Sequence, residues 1–196
     1  MKRWQDNPLR LLFTWTRWLH LRHPSIRLVN RTMPLLGFAV CFGLSAVLPN
    51  FNLSRDLGFI QQVNGLLQML GPFFVAALVL VAGFPGDELD KPMGGLPPYL
   101  FLAGEEYSPT RRELFAYLFA YLAGLSVLTY LGGGLVIAAS NPTPQPVMLW
   151  FAGALHGLLA LCMKAAYGAL LIHLFAVTLL GLHFLGSFLA SSRIVR

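Results

Sequence analysis

The sequence predicts an all-α fold, a polytopic transmembrane helical bundle with a basic amphipathic interfacial helix at its N-terminus. Three observations predict it. Val147 to Ser192 is a run of 46 residues with a single charge, Lys164, against the roughly 20 apolar residues that span a bilayer as a helix. Hydrophobic residues make up 56% of the chain and charged residues only 11%, where a soluble domain carries about 25% charged; mean hydropathy is +0.64. Residues 1–32 hold seven of the fourteen Lys and Arg, the asymmetry that orients membrane proteins.

The first element is that basic segment, 1–32, which we separate from a transmembrane region, 33–196. Asn7-Pro8 reads as a helix cap and first helical position, and Pro24 as the end of the helix. Arg3, Arg10 and Arg17 recur every seven residues, with Leu12, Trp15 and Leu19 roughly opposite. A basic stripe facing apolar residues and Trp is the pattern of a helix lying in the interface. Arg3, Arg10, Arg17, Trp15 and Trp18 are the candidate docking residues, for anionic lipid or for a cytoplasmic partner. Polar and basic residues precede the first apolar run and no A-x-A pattern follows it, so no secretory signal is expected.

The spans follow in order. The first runs from about Ile26 or Met33 to Leu48, ended by Pro49-Asn50. The second follows Ser54 and reaches Gly83, ended by Phe84-Pro85-Gly86. The third runs from Arg111 to Ala139. Its start is marked by a capping box, Thr110-x-x-Glu113, or by Ser108-Pro109. Asn141 to Pro146 is a stiff, uncharged turn before the final run. Lys91, Arg111 and Arg112 in the 85–113 loop, and Arg193 and Arg196 at the end, agree with a cytoplasmic N-terminus and four spans. Five spans would need a reversal near Lys164, where Cys162 to Gly168 offers poor turn chemistry. The 85–113 loop holds six of the eight acids, Glu105 and Glu106 among them, beside the apolar Tyr99 to Leu102. Loops of that length are usually functional. The basic N-terminal segment of the same or a neighbouring subunit is its obvious counterpart, and a separate cytoplasmic protein is the sharper reading.

Two constellations stand inside the spans. Gln61, Asn64 and Gln68 share a face of the second span, where lipid cannot satisfy their amides. With Lys164, which has no acid in the spans to pair with, they form either interhelical polar contacts or a pore lining. Small residues recur at four-residue spacing: Ala116, Ala120 and Gly124 in the third span, Gly153 and Gly157 in the last. These predict close helix packing within or between subunits. Lys164, His156, His173 and His183 do not share a helical face at about 100° per residue, which argues against a proton wire. Cys41 and Cys162 both fall in spans and read as small core residues.

No phosphate loop, nucleophile elbow, zinc-protease helix or zinc-spaced cysteine pair occurs, so no catalytic residue, metal or cofactor is expected and the chain reads as non-enzymatic. The sequence pI of about 9.8 comes from residues flanking apolar spans. It points to the anionic leaflet rather than nucleic acid. The expectation is an integral membrane protein, of the bacterial inner membrane type. It would serve as an oligomeric platform or anchor for a multicomponent machine of the secretion, conjugation or phage-defence kind. A small oligomeric channel or membrane-permeabilising effector is the alternative. The sequence specifies neither the partner nor the stoichiometry.

Overall fold

The computed structural model describes residues 14–47, 58–85, 87–93, 97–102, 105–140 and 152–194. A 3-10 turn, Thr14–Thr16, leads into the short helix α1 (Arg17–His20). Four long helices follow: α2 (Pro24–Val47), α3 (Phe59–Gly83), α4 (Arg111–Ser140) and α5 (Ala152–Ile194). All four are long and apolar enough to cross a membrane, so the chain is a polytopic transmembrane helical bundle. Between α3 and α4 lies one antiparallel hairpin, β1 (Leu100–Leu102) and β2 (Glu105–Tyr107), with Leu100 opposite Tyr107.

The final apolar run is one continuous helix of 43 residues, about 64 Å long. Among the described residues four candidate spans result, not five, because no residue between Cys162 and Gly168 breaks the ladder. Cys41 packs against Gly168 and Gly37 against Ala169 and Ile172, so α5 runs antiparallel to α2. The first turns of α5 therefore continue past the end of α2, which stops at Val47.

Helix order across the bundle is α3, α4, α5, α2. The extensive contacts are α2 with α5 and α3 with α4, joined through α4 and α5. The central place of α4 shows in its burial: 44% of its most apolar window is buried, against 11% for α2 and 17% for α3. Pro34 and Pro72 sit inside α2 and α3 without ending them. Proline in a spanning helix is tolerated where neighbouring groups satisfy the freed carbonyls. Because α2 and α3 flank α5 and α4 without closing on each other, an apolar groove of about 450 Å³ opens between them, lined by Met33, Val63, Leu67 and Phe175.

The larger core sits at the end of the bundle carrying the hairpin. There Trp18, Leu21, Ile26, Leu100, Leu114, Leu118, Leu174 and Val177 pack together. A smaller cluster of Ile60, Val136 and Tyr167 occupies the opposite end.

The start of the chain differs from an amphipathic helix reaching Pro24. In the described part the helix stops at His20, and Leu21 is extended. The backbone of Arg22 instead exchanges hydrogen bonds with Tyr99, Arg22 N–H to the Tyr99 carbonyl at 2.9 Å and Tyr99 N–H to the Arg22 carbonyl at 3.3 Å. Extended backbone also suits a residue pair leading into proline, and Pro24 opens α2 as its first residue. Residue 32, the division drawn from the sequence, lies inside α2.

Candidate functional site

Most of the charge chemistry of the described residues gathers at the hairpin end. Its foundation is Arg112, in the first turn of α4. Helix α3 ends at Gly83 because Pro85 cannot continue it, and its last carbonyls lack helical donors. The Arg112 guanidinium supplies them, donating Nη1–H to the carbonyls of Val81 at 3.1 Å, Ala82 at 3.3 Å and Phe84 at 2.7 Å. Its Nε and Nη2 grip Asp90 at 2.7 and 3.2 Å. A planar fork can serve a helix end and a carboxylate together; an ammonium group cannot.

The rest of the loop is fastened around this point. Arg111 N–H donates to the Lys91 carbonyl at 3.1 Å and Arg112 N–H to the Leu89 carbonyl at 2.8 Å. Glu88 receives Lys91 and Arg111. Thr110 caps α4 in a reciprocal capping box: Glu113 Oε2 accepts Thr110 N–H at 3.0 Å, and Thr110 Oγ1 accepts Glu113 N–H at 3.3 Å. Tyr107 Oη–H, from β2, donates to the same Glu113 oxygen at 2.6 Å. That bond to a carboxylate pushes the Tyr107 phenol up to about 12, with burial adding to it. The Arg112 hydrogen bond holds Asp90 below its ordinary value, and the Lys91 hydrogen bond does the same for Glu88.

Glu88 and Asp90 thus meet bases of their own loop and its flanking helix. The expected pairing with the basic N-terminal segment does not form among the described residues, where Arg17, Arg22, Arg27 and Arg31 have no carboxylate partner. The segment docks by other means. Trp15 lies on Gly124 and stacks near Tyr121, ring centroids 6.1 Å apart. Arg17 donates to the Tyr117 hydroxyl at 3.4 Å and sits over its ring. Trp18 is fully enclosed, at 0% exposure, so its contacts lie within the chain. Glu105 and Glu106 are exposed. Arg3 and Arg10 lie outside the described residues.

The small faces find varied partners. Gly124 accepts the Trp15 ring: an added Cβ would stand 2.8 Å from Trp15 Cε3. This face of α4, which includes the half-buried Ala116 and Ala120, thus receives the N-terminal segment as well as helices. Among the described residues nothing lies within 4 Å of a Cβ added at Gly157; for Gly153 only its place in α5 is described.

The polar residues of the spans divide. Asn64 is buried at 8% exposure and accepts a hydrogen bond from the Tyr167 hydroxyl at 3.3 Å; Gly133 leaves room for its amide. Gln68 Nε2 donates to the Tyr130 hydroxyl at 3.1 Å, while Gln61 is exposed. Lys164 lines a different hollow, about 300 Å³, with Cys41, Ser45, Phe59 and Tyr167, near the hairpin-distal ends of α2 and α3. Sequence reasoning noted His173 but not its partner: Tyr121 Oη lies 2.8 Å from His173 Nε2, both side chains buried. It read Arg112 only as a charge that orients the chain, because no local pattern reveals its carbonyl partners. No metal-holding cluster of His, Cys, Asp or Glu occurs among the described residues. Compared with known proteins, the chain matches no family model, no curated protein and no solved structure.

Proposed function

We propose that this chain is a non-enzymatic membrane platform: a bundle that anchors a rigid cytoplasmic face to which a protein partner docks within an oligomeric machine. The observation that carries the reading is the bracing of residues 87–113. Asp90 and Glu88 tie the loop to Arg112 and Arg111 of α4, and Glu113 of α4 holds Thr110 and Tyr107. A loop held this way binds without a large ordering cost. What it leaves outward is the hairpin, with Glu105, Glu106, Phe101 and Tyr107 exposed. A short unpaired strand edge bearing two carboxylates suits a basic protein segment, added as a strand or held by charge.

In this reading the positive-inside rule orients the N-terminus and this loop to the cytoplasm, and the membrane is taken to be of the bacterial inner type. The open Gly157 face on the long α5 favours contact with a second copy.

The test is native purification of the tagged chain with mass determination of the intact particle. A stoichiometric cytoplasmic companion is expected, lost on charge reversal at Glu105 and Glu106. A particle made of this chain alone that conducts ions, with conductance altered at Gln68 or Lys164, would replace the platform by the channel.

A further inference from the structure

Three arginines at the hairpin end have no ion-pair partner among the described residues. Arg22, Arg27 and Arg31 are all exposed, and each of the three ion pairs in the described structure belongs to the 88–112 region instead. Like charges one helical turn apart repel one another unless an anion joins them. Arg27 and Arg31 stand one helical turn apart on α2, on the same face. Arg22 is fixed beside them: its backbone is bridged to Tyr99, and its guanidinium lies 4.8 Å from the Phe101 ring centroid. The three line two hollows in common. One, about 430 Å³, adds the polar His20 and Asn30; the other, about 570 Å³, adds Leu28 and Tyr99.

We propose that Arg22, Arg27 and Arg31 bind the phosphate of an anionic phospholipid in the leaflet at this end of the bundle. Guanidinium forks match phosphate oxygens in paired geometry, and the set carries three positive charges with no competing carboxylate among the described residues. Position selects a lipid over a soluble phosphate. Arg27 and Arg31 belong to the first turns of a helix that is apolar enough to cross the membrane from Pro24 to Ser45. Beside them α2 presents Leu28 at 54% exposure and, one heptad further into the span, Leu35 at 72%, on one face, a track for an acyl chain rising from the headgroup. A phosphopeptide would need the site clear of the headgroup layer.

The experiment is native mass spectrometry of the full chain released from detergent with equal phosphatidylglycerol and phosphatidylcholine. The expected result is retained phosphatidylglycerol, with preference falling about fivefold for each arginine neutralised, hence roughly 25-fold in R27Q/R31Q, and with R27K/R31K intermediate. In wild type, raised salt should weaken the preference. Should R27Q/R31Q not fold, that salt dependence and the Lys variant decide. The proposal is overturned by equal retention of the two lipids, by unchanged preference in the Gln or Lys variants, or by a salt-independent preference. Displacement of the lipid by equimolar inorganic phosphate would overturn it in favour of a soluble anion. Displacement by a phosphopeptide but not by inorganic phosphate would overturn it in favour of a protein ligand.

Discussion

Replacing Gly133 by Ala should destabilise the bundle, and removing the Asn64 side chain should cancel the damage. A Cβ at position 133 would fall 2.7 Å from Asn64 Nδ2 and 2.9 Å from Cγ, with Oδ1 nearer still, closer than real contacts allow. Either the amide or the α3–α4 spacing must yield. Moving the amide breaks its bond from Tyr167, worth about 0.6 kcal/mol inside a membrane bundle, and strands a buried polar group at about 1–3 kcal/mol. Moving the helices costs about 1–3 kcal/mol of packing. Against this, Ala in place of a mid-helix Gly returns roughly 0.5–1 kcal/mol. The net expectation for Gly133→Ala is a loss of about 1–2 kcal/mol. In an Asn64→Ala background the space is vacant and the same change should be neutral or favourable, giving a coupling of about 2 kcal/mol. The assay is reversible unfolding in mixed micelles of mild detergent and dodecyl sulfate, followed by circular dichroism, as a double-mutant cycle. Gly134→Ala is the control, since nothing lies within 4 Å of a Cβ there. Additivity to within about 0.5 kcal/mol would refute the packing argument.

Gly124→Val should push Trp15 off α4 at a cost of about 1–3 kcal/mol, read as increased iodide quenching of tryptophan fluorescence with helix content unchanged. Arg112→Ala should expose residues 84–93 to protease, and Arg112→Lys should not restore protection, because one ammonium cannot hold both Asp90 and three carbonyls. Acid should loosen the same loop: Asp90 and Glu88 are held below their ordinary values, so their bracing is complete above the usual carboxylate range and is lost as pH falls through the lowered native values, visible as faster amide exchange. Tyr107 is pushed from 10.0 up to about 12, so its bond to Glu113 is intact below pH 10 and disappears as pH rises through about 12. Absorbance titration should show a late phenol that is missing in Tyr107→Phe and moves down in Glu113→Gln.

The helices were legible because their causes are local. Apolar length defines a span, Pro85 stops α3, and Thr110 with Glu113 marks the start of α4 within the capping box itself. The missing turn chemistry around Lys164 likewise agrees with an unbroken α5. Partners were not legible, because spacing gives a face without saying what meets it. The Ala116, Ala120 and Gly124 pattern reads as a helix-packing motif, yet Gly124 receives a tryptophan from the N-terminal segment. The Arg112 contacts reach back 28 to 31 residues to carbonyls, which have no side-chain signature. Tyr121 and His173 are 52 residues apart, and neither residue type in an apolar run announces the other.

Among the described residues, the ion pairs inside the chain all belong to the loop between α3 and α4 and the first turn of α4. Asp90 and Arg112, or Glu88 and Lys91, close short loops, and short loops cost little entropy; they satisfy one another and shape the cap. Arg22, Arg27 and Arg31 are committed to the start of a spanning helix, and Glu105 and Glu106 to a hairpin turned outward. Neither set is paired with the other among the described residues, although Arg22 and the hairpin are joined through Tyr99 and Phe101. Among the described residues that leaves two exposed surfaces of opposite sign at one end of the bundle, to which the proposals above assign a lipid phosphate and a basic protein segment. If the two are independent, neutralising Arg27 and Arg31 changes lipid retention and leaves the protein companion bound, while reversing Glu105 and Glu106 releases the companion and leaves the lipid. Loss of both by either change would mean that one ligand bridges the two surfaces, and the cap would then have a single site.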